Sequence, residues 1–270
     1  MELHDNEFTT IEDTQIYTIT LDPTPQHSKP SKEDSSFGII SNKLKLQTGI
    51  TINHFARIVS QPYGYTWSGG LFEGGICQKN WRQQSVFALD FDNDIEKWTK
   101  KKLELKPVSV DDVLQRFKDL GIYPQLWYST FSSTVQLFKF RIVLFLDEII
   151  REDSIRKFIM DSLLDIFPEA DSYCKNTNRY FLGGQEAHVI NNAPIKFSKL
   201  FEVLGIVAIT QDRGRTGKIP KIDMGSNSCP KQQFLYNRYR SSDFGRKKKL
   251  PIYKGTRLLI LKKPELKLKY

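Results

Sequence analysis

Between residues 85 and 182 the apolar positions follow two rhythms. Ser85 to Asp92 alternates with period two, placing Phe87, Leu89 and Phe91 on one side of a strand. Ser109 then opens a helix in which Val110, Val113, Leu114, Phe117 and Leu120 recur at helical spacing. Asp112 completes a capping-box start, and Gly121 ends the run. Leu126 to Phe131 predicts a second strand, and Phe138 to Leu146 a third and stronger one. Asp153 is expected to cap another helix, with Ile155, Phe158, Ile159, Leu163 and Ile166 as its buried stripe and Pro168 as its stop. Asn178 to Leu182 reads as a fourth strand.

The order β-α-β-β-α-β predicts an α+β fold of the ferredoxin-like or RNA-recognition type. Both helices would cover one face of a four-stranded antiparallel sheet and leave the other open. Before this core, Thr14 to Leu21 alternates as a strand, and Asp22 to Ser36 is a polar, Pro- and Ser-bearing linker. Three regions follow: a polar arm over 1–36, a core over 37–210 and an extension over 211–270.

Charge separates that extension from the rest. Residues 211–270 carry 17 Lys/Arg against 4 Asp/Glu, a balance of +13 in a chain of net +9, so the first 210 residues sum to −4. A basic end on a near-neutral body points to a polyanion, because cations at phosphates release condensed counterions. Arg213, Arg215, Lys218, Lys221, Arg238, Arg240 and the run Arg246, Lys247, Lys248, Lys249 are the candidate DNA-binding residues. Tyr236 and Tyr239 lie among them and either stack on bases or belong to a core. Cys77, Cys174 and Cys229 and the lone His188 lack zinc-ligand or disulfide spacing, so no zinc is expected. No apolar run approaches a membrane span and the acidic N-terminus does not resemble a secretory signal; an intracellular, membrane-free protein is expected.

The chemistry is expected on the open sheet face. If Phe87, Leu89 and Phe91 point inward, Asp90 and Asp92 point to the other side; if Phe138, Phe140, Ile142 and Leu144 point inward, Lys139 and Arg141 join them. For the fourth strand the pattern leaves open whether Arg179 and Phe181, or Tyr180 and Leu182, face inward. Paired carboxylates repel unless a cation lies between them, and a hard divalent ion suits them. Two such ions can clamp the attacking and leaving oxygens of a phosphoryl transfer, with Lys139 and Arg141 holding a triphosphate. Asp-x-Asp is also common as a solvated strand end, and other phosphoryl and glycosyl transferases carry it.

On these residues the stretch from Arg57 to Gly184 resembles the archaeo-eukaryotic primase superfamily, in particular its primase-polymerase branch. Val86 to Asp92 is similar to that family's first motif, a hydrophobic strand ending in Asp-x-Asp. Lys139-Phe140-Arg141, preceded by the turn with Ser132, stands where the family has Ser-x-His, with Arg141 in the histidine's place. Asp171 to Phe181 is similar to the third motif, a further metal-binding Asp followed by a basic segment. The resemblance implies a two-ion Mg²⁺ or Mn²⁺ site on Asp90, Asp92 and Asp171, with Lys139, Arg141, Arg179 and Ser132 on the nucleotide. It implies a DNA primase or polymerase that makes or extends primers on single-stranded DNA from nucleoside triphosphates, working beside a helicase or other replication proteins. A catalytically degenerate nucleic-acid-binding module for replication initiation is the alternative. A phosphatase of the haloacid dehalogenase type ranks third, because Asn93-Asp94 follows the motif where those enzymes continue with Gly-Thr or Gly-Val.

Overall fold

The computed structural model describes residues 14–30, 42–100 and 104–212, all within one compact unit, Met1–Asp223. The basic residues from Arg213 to Lys249, with Cys229, Tyr236 and Tyr239, lie outside the described residues. Among the described residues no helix is long and apolar enough to cross a membrane.

Two antiparallel sheets form the frame. The smaller holds β1 (Tyr17–Asp22), β2 (Leu46–Ile50) and β3 (Thr66–Ser68) in the order β2-β1-β3, with α1 (Ile52–Val59) between the last two in sequence. The larger holds β4 (Gly70–Phe72), β5 (Trp81–Phe91), β6 (Leu126–Thr130), β7 (Phe140–Ile150) and β8 (Gly184–Val189) in the order β4-β5-β7-β6-β8. Helices α2 (Ile95–Lys100) and α3 (Val110–Asp119) lead from β5 to β6, α4 (Asp153–Ile166) leads away from β7, and α5 (Phe197–Asp212) follows β8. The expected capping box is present at α3: Ser109 Oγ accepts from the Asp112 amide, and Asp112 accepts in return from the Ser109 amide. Such a box satisfies two orphan donors and is worth about 1 kcal/mol. At α4 the cap falls on Glu152 rather than Asp153, without a side-chain bond; Asp153 instead accepts from Arg156 one turn on.

Three corrections follow. The split β-α-β is formed, with β7 inserted between β5 and β6, but the fourth strand lies beside β6, and β4 takes the edge beside β5. The fourth strand is also not Asn178–Leu182. That segment is irregular and pairs with the small sheet only as an isolated bridge, Trp67 to Phe181; the ladder strand starts at Gly184. Glycines set the change of course: a Cβ at Gly184 would lie 1.8 Å from the Ser129 carbonyl oxygen, and one at Gly183 would lie 2.3 Å from the Gly64 backbone. Only bare backbone passes there.

The third correction concerns the open face. Phe87, Leu89 and Phe91 face the helices as expected: Phe91 stacks on Phe140 and meets Phe167, which packs on Phe117 of α3. The opposite face, however, is largely covered by β1 and α1. Tyr17 and Phe55 pack edge-on against Phe145, and Phe55 packs against Trp67. Val86, Ala88, Val143 and Phe145 are therefore all buried. At the end of the same ladder Asp90 and Arg141, themselves buried, replace apolar residues on this face and line a cleft.

Candidate functional site

Register builds the centre of the site. In the β5–β7 ladder Asp90 is directly opposite Arg141, and Tyr128 of β6 is opposite Arg141 on its other side. Opposed residues share a face, so three polar side chains meet in one row. Arg141 donates from Nε to Asp90 Oδ1 at 2.9 Å and from Nη2 to Oδ2 at 3.4 Å. Its Nη1 donates to the Tyr128 hydroxyl at 3.2 Å and to the Leu182 carbonyl. The hydroxyl in turn accepts from Trp67 Nε1 at 2.9 Å and donates to Leu182 O at 3.2 Å. All three guanidinium nitrogens of Arg141 are thus engaged within the chain, and its side chain is only 9% exposed.

The third predicted acid arrives from another segment. The Asp171 amide donates to the Asp90 carbonyl at 2.7 Å, which ties the loop after α4 to the end of β5. Asp171 also caps the short helical turn Ser172–Lys175, accepting from the Tyr173 amide at 3.2 Å. Arg179 then bridges the two carboxylates with one nitrogen: Nη2 is 3.0 Å from Asp90 Oδ2 and 3.2 Å from Asp171 Oδ2. One residue beyond β5, Asp92 is one-third exposed, and Lys139 Nζ lies 3.8 Å from its Oδ1.

Part of this cluster borders a cleft of about 350 Å³. Asp90, Asp92, Arg141, Arg179 and Ser132 line it, and so do Lys29, Phe131, Tyr173, Asn176, Asn178 and Tyr180. None of the six in the second group was named as a site residue from sequence, although Tyr173, Asn176, Asn178 and Tyr180 lie within the motif-like segment Asp171 to Phe181. Lys29 sits in the polar stretch Asp22 to Ser36, where no periodicity announces a partner. The walls combine cations, amides and aromatic rings, a mixture suited to a phosphate-bearing ligand with a ring system.

Burial alone would push the Asp90 carboxyl up. The charges of Arg141 and then Arg179, with their hydrogen bonds, outweigh it and hold the group below its ordinary value of 3.8. The unfolded chain therefore takes up this proton at a higher pH than the folded one. The cluster's contribution to stability is complete above about pH 4 and is lost as pH falls below it. Urea midpoints measured down the acid range are expected to drop more steeply in the wild type than in Asp90→Asn, which has no such proton to gain. Burial likewise raises the Tyr128 hydroxyl, and it pushes the Cys174 thiol, close behind the site, up to about 12. Cys174 stays protonated and is no nucleophile.

No protein-family model matches the chain, and no curated protein matches it. Among solved structures, the AEP domain of the primase-polymerase (PrimPol) of cyanophage S-2L is similar, with 12% identity and a TM-score of 0.38 over 70% of this chain and 89% of that one. So slight a likeness decides neither the topology nor the chemistry.

Whether the acids fit a divalent ion is answered by their contacts. Among the described residues no group of three or more His, Cys, Asp or Glu is arranged as a ready cation cage. Yet a single cationic nitrogen, Arg179 Nη2, already sits between Asp90 and Asp171, and Asp92 stands at the mouth of the cleft. Mg²⁺ is commonly held by one or two carboxylates together with substrate phosphates and waters. The donor set suits an ion that arrives with a nucleotide and does not suit a resident one.

Proposed function

We propose that the cleft is the nucleotide site of a metal-dependent nucleotidyltransferase that makes or extends primers on single-stranded DNA. The observation that carries this reading is convergence. Two carboxylates, Asp90 and Asp92, and three cations, Lys29, Arg141 and Arg179, line one cleft, and Asp171 is tied to it through Arg179. They meet although the ion pair between Asp90 and Arg179 joins residues 89 apart in sequence. The resemblance of the same residues to the primase-polymerase motifs supports it further.

Within that reading the acids would hold Mg²⁺ or Mn²⁺, which neutralises the triphosphate and acidifies a primer hydroxyl when bound. The chain's own residues do the rest. Arg141 keeps Asp90 ionised and fixed in direction, because each of its nitrogens is already committed. The phosphate-binding part passes to Arg179, Lys139 and Lys29, while Phe131, Tyr173 and Tyr180 offer faces to the base and sugar. Ser132, Asn176 and Asn178 supply neutral hydrogen-bonding groups along the wall. Residues 213–249 are proposed to hold template phosphates.

Incubation with primed and unprimed single-stranded DNA, labelled nucleotides and Mg²⁺ or Mn²⁺ tests this. Asp92, one-third exposed and paired with Lys139, is the residue to change, because it is less deeply set in the fold than Asp90. Products from the wild type that fall at least about a hundredfold in Asp92→Asn are expected, the usual scale for one transition-state partner. Wild-type protein that binds DNA and nucleotide but makes nothing with either ion overturns the catalytic reading. One observation favours a binding module in that event: Asp90 and Asp171 are already neutralised by arginines.

A further inference from the structure

Arg141 and Arg179 both neutralise Asp90, but they are held in different ways. Arg141 sits inside a strand, is 9% exposed and has every nitrogen engaged. Arg179 sits in the irregular segment before β8 and its side chain is 28% exposed. A single nitrogen serves both Asp90 and Asp171, and its Nε is buried without a hydrogen-bond partner. An orphaned donor of this kind costs free energy. Its backbone is anchored independently: the amide donates to Asn176 O at 3.0 Å, and the carbonyl accepts from Ser68 Oγ at 2.8 Å. The side chain can therefore leave the carboxylates while the backbone stays in place.

Charge decides when it leaves. Asp90 and Asp171 with Arg141 and Arg179 sum to zero, so the free site has no unmet negative charge at its buried end. A bare divalent ion entering there would have to displace Arg179 or face its repulsion. A nucleoside triphosphate changes the balance, since it brings its own negative charge and offers phosphate oxygens to the planar guanidinium.

We propose that Arg179 is a displaceable counter-ion, closing the Asp90–Asp171 pair in the free protein and moving onto the triphosphate when a divalent ion enters with the nucleotide. The inference rests on the reading of the cleft as a metal-dependent nucleotide site. Ion and nucleotide then bind cooperatively, and by linkage each strengthens the other by the same factor. The bare ion binds poorly, and the site takes a metal–nucleotide complex.

Mn²⁺ binding to the full chain, read by electron paramagnetic resonance without turnover, tests the exchange. In the absence of nucleotide, Arg179→Gln is expected to bind Mn²⁺ at least about tenfold tighter than the wild type, as one opposing charge is removed from a partly exposed site. A non-hydrolysable deoxynucleoside triphosphate tightens Mn²⁺ strongly in the wild type and much less in the variant. Arg179→Lys keeps the charge and can still place one nitrogen between the carboxylates, so bare Mn²⁺ stays weakly bound. It lacks the planar fork for phosphate oxygens, however, and gives up part of the tightening by nucleotide. If wild-type Mn²⁺ binding is lost in Asp92→Asn but is no weaker than in Arg179→Gln, the counter-ion proposal alone is overturned. If no protein binds Mn²⁺, with or without nucleotide, the metal-dependent reading falls with it.

Discussion

Asp90→Asn is expected to destabilise the protein by about 3–5 kcal/mol, the range seen when one partner of a buried ion pair is removed. The Asp90 side chain is 4% exposed and both its oxygens accept from guanidinium groups. Asparagine matches it in size and keeps one acceptor oxygen but carries no charge. Arg141 would therefore remain buried as an uncompensated cation among neutral acceptors, the amide oxygen, the Tyr128 hydroxyl and the Leu182 carbonyl. Arg179 can turn toward water and adds little to the loss. Urea denaturation at neutral pH measures the effect. The double change Asp90→Asn with Arg141→Met is expected to recover most of it, because no lone charge is then left in the interior. A single variant within about 1 kcal/mol of the wild type would mean that the pair is not an obligate one. Lost activity in Asp90→Asn mixes folding with chemistry, which is why Asp92 is the better catalytic probe.

The strands that carry the site were legible because their rhythm is strict. Asp90 and Arg141 each break an apolar row at one position, and the observed register sets these two breaks opposite one another. The covering of the second face was missed, although its signal is in the chain. Val86-Phe87-Ala88-Leu89 and Ile142-Val143-Leu144-Phe145-Leu146 are apolar on both parities, which is how a strand buried on two sides reads. Counting only one parity turned a sandwiched sheet into an open one. Of the two elements that cover it, β1 was expected as a strand from the alternation of Thr14 to Leu21, but nothing placed it over this sheet, and α1 comes from a region, residues 37–80, whose pattern is mixed.

Asp171 shows the other limit. Its place beside Asp90 rests on a backbone bond from its own amide and on the loop after α4, neither of which leaves a periodic trace. Only the motif resemblance brought it forward. Lys29 had neither kind of signal. Arg179 was foreseen near the site but assigned to a strand, because Tyr180-Phe181-Leu182 is apolar enough to read as one. Its freedom to serve as a movable cation depends on its lying outside the ladder.

That placement is enforced by backbone contact, so Gly184→Ala is expected to be among the most damaging single-methyl additions in the chain. The new Cβ would fall 1.8 Å from the Ser129 carbonyl oxygen and 2.8 Å from the Tyr128 ring, and the first of these is backbone, which cannot step aside. Relief requires β8 to move off β6 at its first rung, Thr130 to Gly184. The Leu182 carbonyl would move too, taking an acceptor from Arg141 and from Tyr128, and Phe181 would withdraw from Trp67. A loss of about 3 kcal/mol or more is expected from overpacking of this severity, together with weaker nucleotide binding. Gly75→Ala is the matched control. Its φ of +99° strains an alanine, but nothing lies within 4 Å of the added carbon, so about 1 kcal/mol is expected there. Gly184 itself has no positive φ, so equal losses at the two positions would show that β8 shifts off β6 at little cost and that the close approach is not what holds it.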